Sequence, residues 1–408
     1  MKILMTNNTL TDRGGSESYL ETVSAELRRL GHEVLFYSPE CGLVAHRLRD
    51  RGFEVHDDAG RLPADLDVIH GQHTNAVARV RERHPRTPLV FATHSWAISV
   101  EDPVAELGAS AYLAFNELTR RRLAAHAATR GAEIIRLTQP VEVSFADGVR
   151  DPVSAVPRRA VAVSRRMATV TTRLARACSA LDIEFQRIGD ADGVSPDPRP
   201  EMMAADIVFA IGRTALEAMA AARAVVVVDE TAFGGWLSTS SYAALEADGF
   251  TGLGLGHSGR EAEPQDDDLA ALLRDYHPDL GTQARRLVTR HHAAQHHAAA
   301  LVEIYGAVAD TPATATSTGT LALLAQDRFT LEHRAVSAEW EAARLRNEVA
   351  DLRGELERRL EERAHLVARV EGLGDRLRRA RTRAQRFRRQ RDRAREALGS
   401  PRRRWRRS

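Results

Sequence analysis

The residues best placed to do chemistry lie at 212–217. Gly212, Arg213 and Thr214 open a run, GRTALEAMA, that reads as a helix with Glu217 one turn in. Backbone N–H groups at a helix N-terminus bind anions without help from a side chain. A glycine there admits a phosphate closely, an arginine adds a charge-assisted contact, and a glutamate can accept hydrogen bonds from ribose hydroxyls. The competing reading is a helix cap with a surface arginine and glutamate. Three other clusters carry less. His291, His292, His296 and His297 offer i, i+4 pairs able to hold a metal on a helix face. His70 and His73 flank a strand end, where they either line a cleft or serve as buried or capping groups. Asp266, Asp267 and Asp268 read as a helix cap.

Such residues need a scaffold, and the sequence supplies one twice. MKILMTN, HEVLFYS, LDVIHGQ, PLVFATH, AYLAFN and EIIRLTQP read as buried strands within residues 1–140. Helical stretches separate them; in SESYLETVSAELRRLG, Leu20, Val23, Leu27 and Leu30 share one face and Gly31 is the stop. This alternation predicts an α/β fold, a parallel sheet covered on both faces. Residues 147–160 are rich in proline and polar groups and read as a linker. The pattern then restarts with AVAVSRR, IEFQRIG, ADIVFAIG and AVVVVDE, and 289–308 reads as one long closing helix. The domains expected are therefore a Rossmann-like unit at 1–146, the linker 147–160, and a second Rossmann-like unit at 161–288 closed by the helix 289–308. A cleft between two such halves is where a nucleotide ligand belongs.

Beyond a low-complexity linker at 309–320, Leu345, Val349, Leu352 and Leu356 step by four and three, the seam of a coiled coil expected over 321–375. Leu360, Val367 and Val370 continue it with an extra four-residue step, and Gly372 and Gly374 weaken it. The same residues suit an amphipathic helix packed on the body, but the linker and charged flanks favour self-association. The net charge of +2 hides a split. In the tail 376–408, sixteen arginines stand against Asp392 and Glu396, about +14, leaving about −12 for the rest. Lys2 is the only lysine. No apolar run approaches the roughly 20 residues that span a bilayer, and MKILMTNNTL reads as a first strand and not as a cleavable signal. Cys41 and Cys178 form no metal or redox spacing, which points to a reducing cytoplasm.

With those residues in view, ADIVFAIGRTALEAMAAARAVVVVDE resembles the donor-binding stretch of the retaining GT-B glycosyltransferases, the group of bacterial mannosyltransferases and glycogen synthases. Its Gly-Arg-Thr opening and the later FGGWLS resemble an actinobacterial subset. DRGGSESYLETVSAELRRLGHEVLFYSP is similar to the group's glycine loop, helix and second strand, PLVFATHSW to its Thr-His segment, AYLAFNELTRRRL to its later strand and helix, and HHAAQHHAAALVEIY to its closing helix. The resemblance covers about residues 1–308 and leaves the last hundred untouched. It implies a GT-B fold, two Rossmann-like domains facing a cleft, and transfer of a sugar from an NDP-sugar with retention, without metal or other cofactor.

The resemblance also implies roles. Gly14 and Gly15 would let backbone amides face the donor phosphate or sugar, His94 would sit beside the sugar, and Glu217 would hold the ribose. Arg166 would neutralise the departing diphosphate, with Arg165 as the competing register. Two departures stand out. The group's lysine after that arginine is missing, leaving Arg173 and Arg213 as substitutes, and Phe209 stands where the group often has a second glutamate. The four histidines become, on this resemblance, a solvated face of the crossover helix.

Three functions follow. The first is a cytoplasmic glycosyltransferase, peripheral at the inner face of the plasma membrane, acting on an envelope polysaccharide, glycolipid or metabolite acceptor, lipid-linked or saccharide. The second is a degenerate member serving as a coiled-coil interaction module, and the third a nucleotide-sugar epimerase of the same fold. The arginine tail suits an anionic leaflet, helped by Phe387 and Trp405. Its other readings are a disordered, solvated segment and nucleic-acid binding, the latter not expected because no base-reading fold or aromatic platform accompanies it.

Overall fold

The computed structural model describes residues 1–95, 98–147, 153–163, 168–189, 197–229, 232–255, 266–309 and 318–398. Met1–Trp340 form one compact unit and Glu341–Ser408 a second.

The first lobe runs β1 (Lys2–Thr6), β2 (Thr9–Leu10), α1 (Gly15–Arg29), β3 (Glu33–Tyr37), β4 (Glu40–Cys41), α2 (Leu43–Asp50), β5 (Glu54–His56), β6 (Val68–Gly71), α3 (Thr74–Arg83), β7 (Leu89–Thr93), β8 (Ala111–Ala114), α4 (Glu117–Ala125) and β9 (Ile134–Arg136). Seven of its strands form one sheet in the order β5-β3-β1-β6-β7-β8-β9, every pair parallel. Its strands are apolar at consecutive positions because both faces are covered. Ile3 and Met5 pack with Leu20 and Leu27 of α1, while Leu4 between them packs on the opposite face with Val77 of α3.

The second lobe runs β10 (Arg159–Val163), α5 (Ala168–Ser179), β11 (Glu184–Ile188), α6 (Arg199–Ala204), β12 (Ile207–Ala210), α7 (Gly212–Ala220), β13 (Ala224–Val228), β14 (Phe233–Trp236), α8 (Tyr242–Ala247), α9 (Asp266–Arg274) and α10 (Asp279–His291). Its sheet has the order β11-β10-β12-β13-β14, with β14 the antiparallel edge. Val225 and Val227 face α7 and α10, and Val226 and Val228 face α5 and α9.

The closing helix expected over 289–308 is two helices, α10 and α11 (Ala294–Ala309). The break comes where His292 and Ala293 leave the helical ladder to pair with Val141, whose N–H donates to the His292 carbonyl (2.8 Å) and whose carbonyl accepts from Ala294 N–H (3.1 Å). Past the break, α11 returns to the first lobe, burying Ala298, Leu301, Tyr305 and Val308 in that lobe's core. The expected solvated histidine face is corrected with it: His292 and His297 are buried, and only His291 and His296 are exposed.

The last helix, α12 (Thr318–Leu398), begins inside the expected linker and passes through Gly372 and Gly374 into the arginine-rich tail without a break. Phe387 lies on it; Trp405 falls outside the described residues. Among the described residues, no helix is long and apolar enough to cross a membrane.

Candidate active site

The two crossings between lobes run side by side, and three successive carbonyls of the first crossing anchor them. Thr138 O accepts from His297 Nδ1 (3.0 Å), Gln139 O from His292 Nδ1 (2.7 Å) and Pro140 O from Arg213 Nη1 (2.8 Å). A carbonyl only accepts, so each imidazole carries its proton on Nδ1 and takes a hydrogen bond on Nε2. Tyr19 supplies it to His297 at 3.1 Å and Tyr242 to His292 at 2.9 Å. Burial, above all, lowers the pKa of His297 to about 3 and of His292 to about 4.

Beside this hinge lie the carboxyl ends of β1, β6 and β7. Thr6 and Gln72 lock the first two together, Thr6 Oγ1 donating to Gln72 O (2.9 Å) and accepting from Gln72 N–H (3.0 Å). Asn7 Nδ2 donates to Glu17 Oε1 at 3.1 Å, and Asn8 N–H donates to His73 Nδ1 at 3.1 Å. His94, just past β7, stacks on Phe115 at 4.5 Å and meets Tyr19 edge-on at 4.7 Å. Its pKa lies well below the usual value, from burial first and then from His73, His70 and His297, with Gln139 offsetting slightly. The buried His94 ring has the Gln139 side chain beside it, whereas Asn7 Oδ1 and both atoms of the Gln72 amide are buried without a hydrogen-bond partner. Native interiors rarely leave such groups unpaired.

Glu101 was not visible in the sequence. Fully buried, it accepts the N–H groups of His94 and Ser95, each at 2.6 Å, and so fixes the start of the loop that carries His94. Burial raises its pKa to about 7 against the pull of those N–H groups. Arg122 of α4 holds the same loop through Ser95 O (2.7 Å), Ile98 O (2.8 Å) and Asp102. Glu17 was also missed. Its carboxylate folds back over the start of α1, interacting with the N–H groups of Glu17 and Gly14, and burial raises its pKa. A Cβ on Gly14 would collide with that carboxylate, whereas Gly15 has open space. The Gly14 amide thus lies against an internal carboxylate. The only local signal was an acid in a helix's first turn.

The second lobe contributes α7. A single residue, Ile211, separates it from β12, so Phe209 is a strand residue in the core, beside Phe185, and does not face a ligand. Gly212 adopts φ +54, a conformation favouring glycine, and its N–H donates to Phe250 O at 2.8 Å. Thr214 is half-buried in the first turn. Arg213 is half-buried, its side chain 9% exposed; its Nη2 donates to Thr22 Oγ1 at 2.6 Å, and its Nε lies 3.5 Å from Glu217 Oε1. Burial lowers its pKa, partly offset by Glu217. Glu217 also meets Arg13 of the first lobe at 3.2 Å, and Arg13 reaches Asp197 at 3.6 Å and Ser18 Oγ at 3.2 Å. A chain of charges thus joins the lobes, and Arg13 was not expected in it. A cavity of about 390 Å³ opens beside Arg13, lined also by Ser18, Thr22, Glu142, Asp197 and Arg199; neither His94 nor Gln72 borders it.

Of the remaining expectations, Arg173 lies half-buried on α5. Arg165 and Arg166 fall outside the described residues. The geometry therefore brings together Arg13, Arg213 and Glu217 in one cluster, and Asn7, Gln72, His94 and Glu101 in another at the strand ends.

No family model matches the sequence, and no curated protein matches it. Among solved structures, the chain is similar to Anabaena Alr3699/HepE in complex with UDP and glucose, at 15% identity over 75% of this chain and 99% of that one, with a TM-score of 0.55. It is also similar to an alpha-glucosyltransferase in complex with UDP and a 13-mer DNA containing an HMU base, at 10% identity over 75% and 99%, with a TM-score of 0.52. The fold is that of the GT-B glycosyltransferases, two α/β lobes on parallel sheets.

Proposed function

We propose that this protein transfers a sugar from an NDP-sugar with retention at the anomeric carbon. The observation that carries the reading is the set of buried polar groups on Asn7, Gln72 and His94, with Asn7 Oδ1 and the Gln72 amide unpartnered. They sit at the carboxyl ends of parallel strands, where open α/β sheets bind ligands. Sugar hydroxyls both donate and accept, and an amide with a neutral imidazole matches them. Glu217 would take ribose hydroxyls, and Arg13 with Arg213 would supply the positive charge that a lysine supplies elsewhere. That both neighbours were solved with UDP supports a nucleotide ligand.

In the proposed reaction, the bond from the anomeric carbon to the diphosphate breaks while the acceptor oxygen bonds to that carbon on the same face. The acceptor proton passes to a diphosphate oxygen. Arg13, Arg213 and the α7 amides would stabilise the charge that develops on the leaving group, the kind of contact whose loss typically costs about 3–4 kcal/mol of barrier. The acceptor in this reading is lipid-linked or saccharide, met at an anionic membrane face through the arginines of α12.

A thermal-shift screen against UDP-, GDP-, ADP- and dTDP-sugars tests the proposal, since a ligand at about 100 times its Kd adds about 2.7 kcal/mol of stability. The expected result is a shift with one nucleotide, reduced in Glu217→Gln. No shift with any would favour the interaction-module reading. One observation favours the epimerase reading, the pair of buried carboxyls Glu17 and Glu101 with raised pKa values. Solvent deuterium entering the sugar ring with no acceptor present would decide for it.

A further inference from the structure

The described part of Glu341–Ser408 belongs to one unbroken helix, α12. Residues seven apart lie on nearly the same line of a helix, so a register can be read along it. With Ala342 at position a, Leu345, Leu352, Leu366, Leu373 and Phe387 fall at d, and Val349, Leu356, Val370 and Leu377 at a, with no inserted residue. The extra step expected at Leu360 is therefore a widening of the seam. Arg359 and Arg363 occupy one d and one a position, and Leu360 and Val367 flank them at e. The apolar side chains of this seam are exposed, from 47% at Val349 to 69% at Phe387.

Charge follows the same rhythm. Position g is glutamate at 341, 348, 355 and 362, then arginine at 369, 376 and 383. One half of the helix has an acidic edge and the other a basic edge. Within one helix the far ends of the two edges lie apart, Glu348 and Arg383 by about 50 Å at 1.5 Å per residue. A second helix running the opposite way would bring acidic edge against basic edge along the whole span, and e and g charges set partner and orientation in coiled coils.

We infer that two copies of this chain associate through 342–387 as an antiparallel coiled coil, with Glu348, Glu355 and Glu362 of one opposite Arg383, Arg376 and Arg369 of the other. The layers then place Leu356 against Leu373 and Leu352 against Leu377 at the centre, and further out Val349 against Ala380, Leu345 against Ala384 and Ala342 against Phe387, where a larger residue meets a small one. Leu360 meets Val367. Arg359 falls opposite Val370 and Arg363 opposite Leu366, where long stems can cover apolar surface with the charge in water. A parallel pair would instead stack Arg359 and Arg363 each on its own copy and oppose Arg376 with Arg381 and Arg383 with Arg388. The antiparallel register has one like-charge opposition in this span, Arg346 with Arg381.

Sedimentation velocity on the full chain, with Cys41→Ser as background, gives the first reading, and a dimer is expected. Oxidising a mixture of Leu356→Cys and Leu373→Cys chains should link one to the other, with neither linking to itself. Replacing Glu348, Glu355 and Glu362 by arginine should weaken the dimer at least about tenfold, and adding Arg369→Glu, Arg376→Glu and Arg383→Glu to the same chain should restore it. A monomer at every concentration, a self-linked Leu356→Cys dimer, or failure of the second charge swap to restore association would each overturn the inference.

Discussion

Lowering the pH from 7 to 5.5 should destabilise this protein sharply, and its buried histidines set the size of the effect. On folding, His70 and His297 are shifted from 6.5 to about 3, and His73 and His292 from 6.5 to about 4, in each case chiefly by burial. A histidine with a depressed folded pKa contributes stability that is complete above 6.5. That stability is lost as the pH falls towards the folded value, because the unfolded chain takes up protons that the folded chain excludes. Between pH 7 and 5.5 each such group loses about 1.3 kcal/mol, so four lose about 5 kcal/mol. Glu101 acts in the opposite sense. Its pKa rises from 4.5 to about 7, so its contribution is complete below 4.5 and lost as the pH rises through 7; acidification to 5.5 returns about 1.5 kcal/mol. For these five groups alone the loss is about 3–4 kcal/mol, a large part of the stability of an ordinary domain; His94, also depressed by burial, adds to it and Glu17, raised by burial, offsets it. Urea unfolding followed by tryptophan fluorescence at the two pH values measures it, and His297→Gln should make the dependence shallower. A change below about 1 kcal/mol would refute the assignment of these imidazoles as neutral, proton-excluding struts.

Three substitutions probe the lobe contacts and the loop. Arg213→Ala removes the partner of Pro140 O, Thr22 and Glu217 and should destabilise by about 3–5 kcal/mol. A melting temperature equal to wild type would contradict its role as a strut, and any loss of donor affinity must be judged against that destabilisation. Glu101→Ala leaves two part-buried N–H groups without their acceptor, at about 1–3 kcal/mol in all; Glu101→Gln, which retains a carbonyl oxygen, should recover part of this in chemical denaturation. Gly249 combines φ +77 with a close approach to the Asn116 side chain across the lobes, so Gly249→Ala should cost about 1–3 kcal/mol in a thermal melt.

The strands of both sheets and the glycine-led start of α7 are legible in the sequence because they are written locally. An apolar run such as AVVVV specifies a strand covered on both faces wherever it stands, and Gly212 marks a backbone that other residues avoid. The long helix at 318–398 was legible in part, from apolar residues stepping by four and three. What only the tertiary structure decided was which charges meet. Arg213 finds Thr22 across 191 residues and Arg13 finds Glu217 across 204, and no local pattern encodes such pairings. Phe209 shows the same limit, since its place in the core follows from a strand-to-helix connection of one residue. Glu17, Glu101 and the hinge histidines take their properties from burial. Burial is set by everything packed around a group, so it exists only once the distant parts of the chain have come together.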